Sequence, residues 1–409
     1  MTNTFLERAM ELKEELTANR RWLHQHPELD LETKETTAFV TEKLREMGCN
    51  PVPVCRNGVL VTLTVHEHIG GTGVVADLKV GDGPQVIGLR ADMDALPIQE
   101  ESGLPFASST DGKAHCCGHD LHTAMLLGAA KLLKERESEL TGTVKLLFQP
   151  GEENMKGAKA MIRQGILESP HVDAAMAIHV NSVVPTGKLL VFTGPACASS
   201  DLFTIKIKGR GGHGSTPNKT IDPLNVAAHI LISLQELQAR ELKAGETGVL
   251  TIGSIQGGDT FNVIPSEAVM KGTIRTYSSE VQELLIRRMK EICDATAMAF
   301  RAEAEVIFDP NYAIPLVSDA QVAADARSYL ADLFPQDQIK DIRKSFPGSE
   351  DFAFISEKVP SVFIVLGANV VPGTPYGQHH PKVVFHEDCL PIGAAAHAQI
   401  AMEWLKHHQ

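Results

Sequence analysis

The stretch Val86-Ile87-Gly88-Leu89-Arg90-Ala91-Asp92-Met93-Asp94 decides the fold class. A short apolar run, Val86–Leu89, breaks into charged residues, as a buried strand does where it reaches a polar edge. The motif recurs. Thr143–Phe148 runs into Gln149-Pro150-Gly151-Glu152-Glu153, and Ala174–Ile178 ends in His179. Between these runs, His122–Leu133 and Lys156–Gln164 carry apolar residues at three- and four-residue spacing, the period of a helix. Strands alternating with helices predict an α/β fold with a mainly parallel sheet and helices on both faces. Ligands in such sheets bind outside the carboxyl ends of the strands. The acidic residues and histidines are therefore expected at one edge, each where a strand ends.

A chain of 409 residues predicts two domains. The pattern changes near residue 195. Leu202–Lys208 alternates as a half-exposed strand. Asp222 and Pro223 open a helix to about Arg240, with Asp as N-cap. Strands over Val249–Ile255, Ala268–Thr276 and Ala302–Phe308 and a helix over Glu280–Phe300 complete a βαββαβ order, the α+β ferredoxin-like arrangement. The expected organisation is a discontinuous catalytic domain, 1–195 and 310–409, with an inserted domain at 196–309. Strand Ser361–Leu366 rejoins the main sheet, and the N-terminus reads as one amphipathic helix to about Gln25.

A net charge of −13 argues against nucleic acid as a partner. No apolar run approaches the ~20 residues of a membrane span, and no signal sequence is apparent. Seven scattered cysteines suit a reducing, cytoplasmic compartment better than a disulfide framework. The glycine runs 70–73 and Gly209-Arg210-Gly211-Gly212 read as tight turns. Neither opens a helix, which rules against a dinucleotide fingerprint.

Four pieces stand out: Cys117-Gly118-His119-Asp120, Glu152-Glu153, His179, and His379-His380. Together they offer a thiolate, imidazoles and carboxylates, the donors of a dinuclear metal site in a hydrolase. Cys117 and His119 lie at a helix entrance, where the helix N-terminus and a metal both lower a thiol pKa. Of the adjacent Glu152 and Glu153, extended backbone would turn one to metal and the other to water. Only one of His379 and His380 need be a ligand. His213 lies in the glycine-rich Gly211-Gly212-His213-Gly214 loop of the inserted domain. The remaining histidines read as structural.

The chain resembles the M20 metallopeptidases, in particular their amidohydrolase branch, subfamily D, which includes aminoacylases, hippurate hydrolases and auxin-conjugate hydrolases. The resemblance runs nearly end to end. It rests on Trp22-Leu23-His24-Gln25-His26-Pro27-Glu28, Leu89 to Pro97, His115 to Asp120 and Gln149 to Glu153. It continues through Gly211-Gly212-His213, Phe261 to Pro265, Gly272 to Thr276 and His379-His380-Pro381-Lys382. It implies metal ligation by Cys117, His119, Glu153, His179 and His379, a general base at Glu152, and substrate contacts from His213, Asn262 and Arg275. It also implies support of a ligand by Asp94, and a lid or dimerisation role for the inserted domain. Two departures stand out: Cys116 where Ala is usual, and Asn154-Met155-Lys156-Gly157 where a glycine run is usual.

The expected activity is metal-dependent hydrolysis of an N-acyl amino acid or small conjugate by a homodimer or higher homo-oligomer holding two divalent ions, zinc or else manganese or cobalt. Glu152 takes a proton from water and returns it to the leaving amine, while the metals and His213 stabilise the oxyanion. Arg275 and Asn262 suit the substrate carboxylate. The nearest alternative is a dipeptidase or carboxypeptidase with the same machinery. A cysteine hydrolase with Cys117 as nucleophile, which would survive chelation, and a non-catalytic metal binder, which needs no Glu152, are the other classes.

Overall fold

The computed structural model describes residues 4–49, 51–52, 59–61, 74–79, 83–370 and 376–408. The glycine run at 70–73, Cys55, His66, His68, Gly373 and Pro375 lie outside them. Two compact units emerge. One comprises Met1–Ala196, Val317–Lys344 and Glu350–Gln409; the other comprises Cys197–Leu316 and Ser345–Ser349.

The first unit is α/β. Its sheet runs, in spatial order, Pro51–Val52, Val59–Val61, Val74–Lys79, Thr143–Gln149, Val86–Asp92, Ala174–Pro185, Ser361–Asn369, Leu189–Phe192, Ile339–Ile342. The central block, from Thr143–Gln149 through Ser361–Asn369, is parallel throughout. Val74–Lys79 and Leu189–Phe192 flank it antiparallel, so the sheet is mainly rather than wholly parallel. Side chains on strands alternate between faces, and both faces are covered. Val144, Leu146, Met176, Ile178, Val362 and Ile364 share a core with helices Lys13–Gln25, His119–Glu135 and Cys389–His407. Leu147, Ala175, Ala177 and Phe363 are also buried, on the opposite face. Helix His119–Glu135 is apolar on nearly every side because it is buried on nearly every side. A Cβ on Gly128 would come 2.6 Å from Leu16 and 2.9 Å from Ala394.

Several expected boundaries shift. The strand Val86–Asp92 continues past Leu89 because Arg90 and Asp92 are buried and paired, not solvated. Ala174–Pro185 runs beyond His179, held by parallel pairing with Ser361–Asn369, so His179 sits mid-strand. The N-terminal helix is two, Phe5–Glu11 and Lys13–Gln25, meeting at Leu12.

In the second unit a four-stranded antiparallel sheet runs Gly248–Gln256, Glu267–Thr276, Asp201–Lys208, Glu303–Phe308. Helices Pro223–Glu236 and Ser279–Ala299 cover one face, burying Ile205, Ile207, Met270, Ile230 and Met289. Asp222 caps the first helix, its side chain accepting from the N–H groups of Leu224 and Asn225. The glycine run before His213 is not a free turn, since Gly212–His213 pairs antiparallel with Val263–Ile264. Among the described residues no helix is long and apolar enough to cross a membrane.

Candidate active site

The carboxyl ends of Val86–Asp92 and Thr143–Gln149 lie side by side in the sheet, as parallel register requires. Asp94, just past the end of the first strand, ties the two exits together. Its carboxylate oxygens accept the N–H groups of Glu152 at 2.9 Å and Glu153 at 3.1 Å, and its backbone carbonyl accepts the Nδ1–H of His119 at 2.8 Å. One residue thus orients three candidate site residues. Glu152 and Glu153 lie in a turn rather than on extended backbone, so both approach His119, with donor atoms within 4.8 Å of one another.

Two of the groups of donors that form here contain Cys117. Cys117, His119 and His179 make one; Cys117, Glu153 and His379 make the other. Cys117 Sγ is 3.5 Å from His179 Nε2, and Glu153 Oε1 lies 3.8 Å from His119 Nε2 and 3.5 Å from His379 Nε2. The Nδ1 of His119 and of His179 each bonds a backbone carbonyl, which leaves both Nε2 atoms as the ones available to a cation. His119 Nε2 and Glu153 Oε1 are buried with no hydrogen-bond partner among the described residues. Buried polar atoms of this kind call for a partner, and a divalent cation satisfies them. A thiol, imidazoles and a carboxylate within reach of one another are the right donor set. The residues present fit a metal pair.

The electrostatics agree. Burial, then Glu153, Glu152 and Asp92, push the Cys117 thiol well above its usual range. Desolvation and three carboxylates thus oppose the lowering expected at a helix entrance, and an added cation would favour the thiolate. Burial likewise lifts Glu153 to about 7. Burial works against a charged His119, but Asp92, Asp94 and Glu153 outweigh it and raise its pKa to about 10. Glu152 is 5 % exposed, and burial followed by Glu350 and Glu153 pushes it well above the carboxylate range.

The chain discriminates between neighbours of like type. Cys116 packs into the main core, and burial pushes its thiol to about 12, whereas Cys117 faces the histidines. His379 reaches Glu153, while His380 stacks on Tyr376. His379 holds a left-handed φ of 65°, pinned by its N–H to the Cys116 carbonyl at 2.9 Å. Such strain costs on the order of 1–3 kcal/mol and gathers at functional sites. The departure at 154–156 forms a turn in which Met155 has φ 60° and Lys156 pairs with Asp30 at 2.8 Å.

Sequence reasoning missed Asp92 and His122. His122 Nδ1–H donates to Asp92 Oδ1 at 2.5 Å, and its Nε2 accepts the Val180 N–H at 2.8 Å, next to His179. Burial opposes the Asp92 charge, but Arg90, His119 and His122 hold its carboxyl well below the usual range. It also missed a buried network beside His119, in which His24 reaches both Asp120, at 2.8 Å, and Glu100, at 3.1 Å. The spacing of His119 and His122 on one helix was the available signal.

His213, Asn262 and Arg275 belong to the second unit. Pairing of the two short strands brings the first two together, with Gly214 N donating to Asn262 O at 2.8 Å. The exposed His213 accepts the Ser215 N–H at Nδ1, which places its proton on Nε2, free to donate. Arg275, on the adjoining sheet, donates to Thr273 Oγ1 at 2.6 Å.

A model described as peptidase family M20/M25/M40 matches residues 88–403. The chain belongs to this family. It is 37% identical over 383 residues to an N-acetylcysteine deacetylase of Bacillus subtilis (strain 168), covering 94% of this chain and 95% of that one. It is 36% identical over 390 residues to the IAA-amino acid hydrolase ILR1-like 2 of Arabidopsis thaliana, covering 95% and 84%. Among solved structures, a dinuclear metal-binding M20 peptidase of Bacillus subtilis superposes with a TM-score of 0.81 at 34% identity, covering 97% and 99%.

In this M20 chain the turn between Cys117 and His119 is made by Gly118. Its φ is 97°, and a Cβ there would lie 2.4 Å from Val180 Cγ2. Glycine alone fits, and it turns the chain so that Cys117 and His119 face one point. Gly118→Ala is expected to add strain of about 1–3 kcal/mol and to displace one donor residue. A lower melting temperature together with reduced metal per chain would register this; unchanged metal content would refute it.

Proposed function

We propose that the chain hydrolyses the amide bond of N-acyl amino acids or small amino-acid conjugates, releasing a carboxylic acid and an amino acid. The observation that carries this is a buried Glu152, with no side-chain hydrogen bond among the described residues, beside two donor groups that share Cys117. Cys117, His119 and His179 would hold one divalent ion, and Cys117, Glu153 and His379 the other. Zinc suits the thiolate and imidazoles; manganese and cobalt are the other candidates. When bound, the ions supply Lewis acidity and lower the pKa of water. Glu152 accepts the water proton and passes it to the leaving amine. Asp94 fixes the turn that aims it. Arg275 and Asn262 serve the substrate carboxylate.

Acyl amino acids are favoured over dipeptides by the relatives named for N-acetylcysteine and for IAA-amino acid conjugates. The nucleophilic-cysteine reading is disfavoured because Cys117 lies within two groups of metal-binding donors, and burial with Glu153, Glu152 and Asp92 shifts its thiol upward. The test is a metal-supplemented screen of N-acyl amino acids against dipeptides, with a chelated control. Faster turnover of dipeptides would shift the assignment to a dipeptidase, and full activity after chelation would overturn it. We further infer a reducing, cytoplasmic setting, since the six described cysteines are buried and no disulfide joins them. The second unit is read as a lid and dimerisation module. Its edge strand Gly248–Gln256 and exposed Ile232 and Phe261 favour a second copy as partner.

His213 is assigned the oxyanion, through Nε2–H. His213→Ala is expected to keep metal content and melting temperature and to lower kcat on the order of 10²-fold, the scale of one lost oxyanion donor. Mixing His213→Ala with Glu152→Gln chains separates two routes: recovered activity in the mixture means the histidine acts across subunits. A fully active His213→Ala enzyme removes the role.

A further inference from the structure

Arg90 lies buried among four carboxylates, its side chain 2 % exposed. Nη1 donates to Asp92 Oδ2 at 2.6 Å. Nη2 donates to Asp351 Oδ1 at 2.8 Å and lies 2.9 Å from Glu350 Oε1. Nε donates to Gln149 Oε1 at 3.1 Å, and Gln149 Nε2 in turn donates to Asp351 Oδ1 at 2.6 Å. The second oxygen of Asp351 accepts the Ala158 N–H at 2.9 Å, and Glu350 Oε1 accepts that of Phe352 at 2.9 Å. The fourth carboxylate is Glu152. One of its oxygens lies within 4.8 Å of an oxygen of Glu350 and one of Asp351, yet it makes no side-chain hydrogen bond among the described residues.

Three buried carboxylates at that separation are themselves oxygen donors for a hard divalent cation. Alone, they would compete with the Cys117 site and would tie up Glu152. The Arg90 guanidinium already engages two of them, Glu350 and Asp351. Its planar fork engages Asp92, Glu350 and Asp351 together, which the point charge of a lysine would not do with the same geometry. The partners come from three chain segments, and Glu350 and Asp351 are far from Arg90 in sequence.

We propose that Arg90 is a positioning residue, an internal cation that occupies Asp92, Glu350 and Asp351, keeps a divalent ion out of the Glu152–Glu350–Asp351 pocket and leaves Glu152 unbound. This rests on the reading of Glu152 as the base, but it is tested by a difference in metal uptake between variants that needs no substrate. Mn²⁺ is titrated into the full-length chain and into variants, with bound metal per chain as the readout. Arg90→Met is expected to take up an additional Mn²⁺ equivalent that disappears in Arg90→Met/Asp351→Asn. Arg90→Lys, which keeps the charge, is expected to take up none. Asp351→Asn keeps Arg90 but frees a guanidinium N–H to turn on Glu152. Its metal count should match the parent, while kcat falls on the order of 10²-fold, the lower end of a lost general base, with KM little changed. A folded Arg90→Met chain with the parental Mn²⁺ count overturns the proposal. So does an Asp351→Asn chain of parental kcat, and this second variant decides the matter if Arg90→Met does not fold. Loss of turnover in the parent itself would count against the proposed function and leave the metal-uptake difference standing.

Discussion

Glu152→Gln is expected to lower turnover of N-acyl amino acids by about 10²–10⁴-fold while metal content and fold persist. The carboxyl is 5 % exposed and sits in a field that favours its neutral form, with burial first and then Glu350 and Glu153 opposing ionisation. An amide of the same shape is a close match for that neutral form. It adds no volume and introduces no charge, so the melting temperature should not fall. The backbone N–H bond to Asp94 is untouched, which keeps the adjacent Glu153 in place. What the amide lacks is the capacity to take a proton. Turnover and metal per chain, measured on the same preparation, separate this from a structural effect. Near-parental turnover would mean that another group is the base.

Cys117→Ala is expected to weaken metal binding by more than about 100-fold, beyond the 10–100-fold typical of residues that merely orient ligands. The reason is that Cys117 belongs to both donor groups, so one substitution takes a donor from each. Cys116→Ala removes a side chain of similar size from the core and should cost about 1 kcal/mol without loss of metal. Metal analysis after dialysis of both variants decides between the adjacent thiols. The opposite ranking would make Cys116 the donor and require the turn at Gly118 to differ from that described.

The α/β class of the first unit was legible because strands buried on both faces leave short apolar runs, as in Thr143–Gln149 and Ala174–Pro185. The helix start at Pro223 was legible because Asp222 caps it within its own segment. Both signals are local. The misread strand ends are informative: charge in Val86–Asp92 suggested a solvent edge, but Arg90 is paired with Asp92 and with Asp351, which lies far along the chain. Antiparallel pairing of Leu189–Phe192 with the central block is equally non-local.

By itself the sequence determined the kinds of donor atom available, the strand–helix alternation that carries them, and membership in a family whose motifs lie along the chain. Residue type and spacing suffice for these, because hydrophobic period and capping act within a few residues. Only the tertiary structure decided which atoms meet. It turned Cys117 rather than Cys116 inward through the left-handed Gly118, and joined Cys117 to both donor groups. It also gathered His119, Glu152 and Glu153 on Asp94 and closed Arg90 over carboxylates from distant segments. Those contacts depend on how strands pair and how buried charges find partners, and a buried charge finds its partner in space, not along the chain.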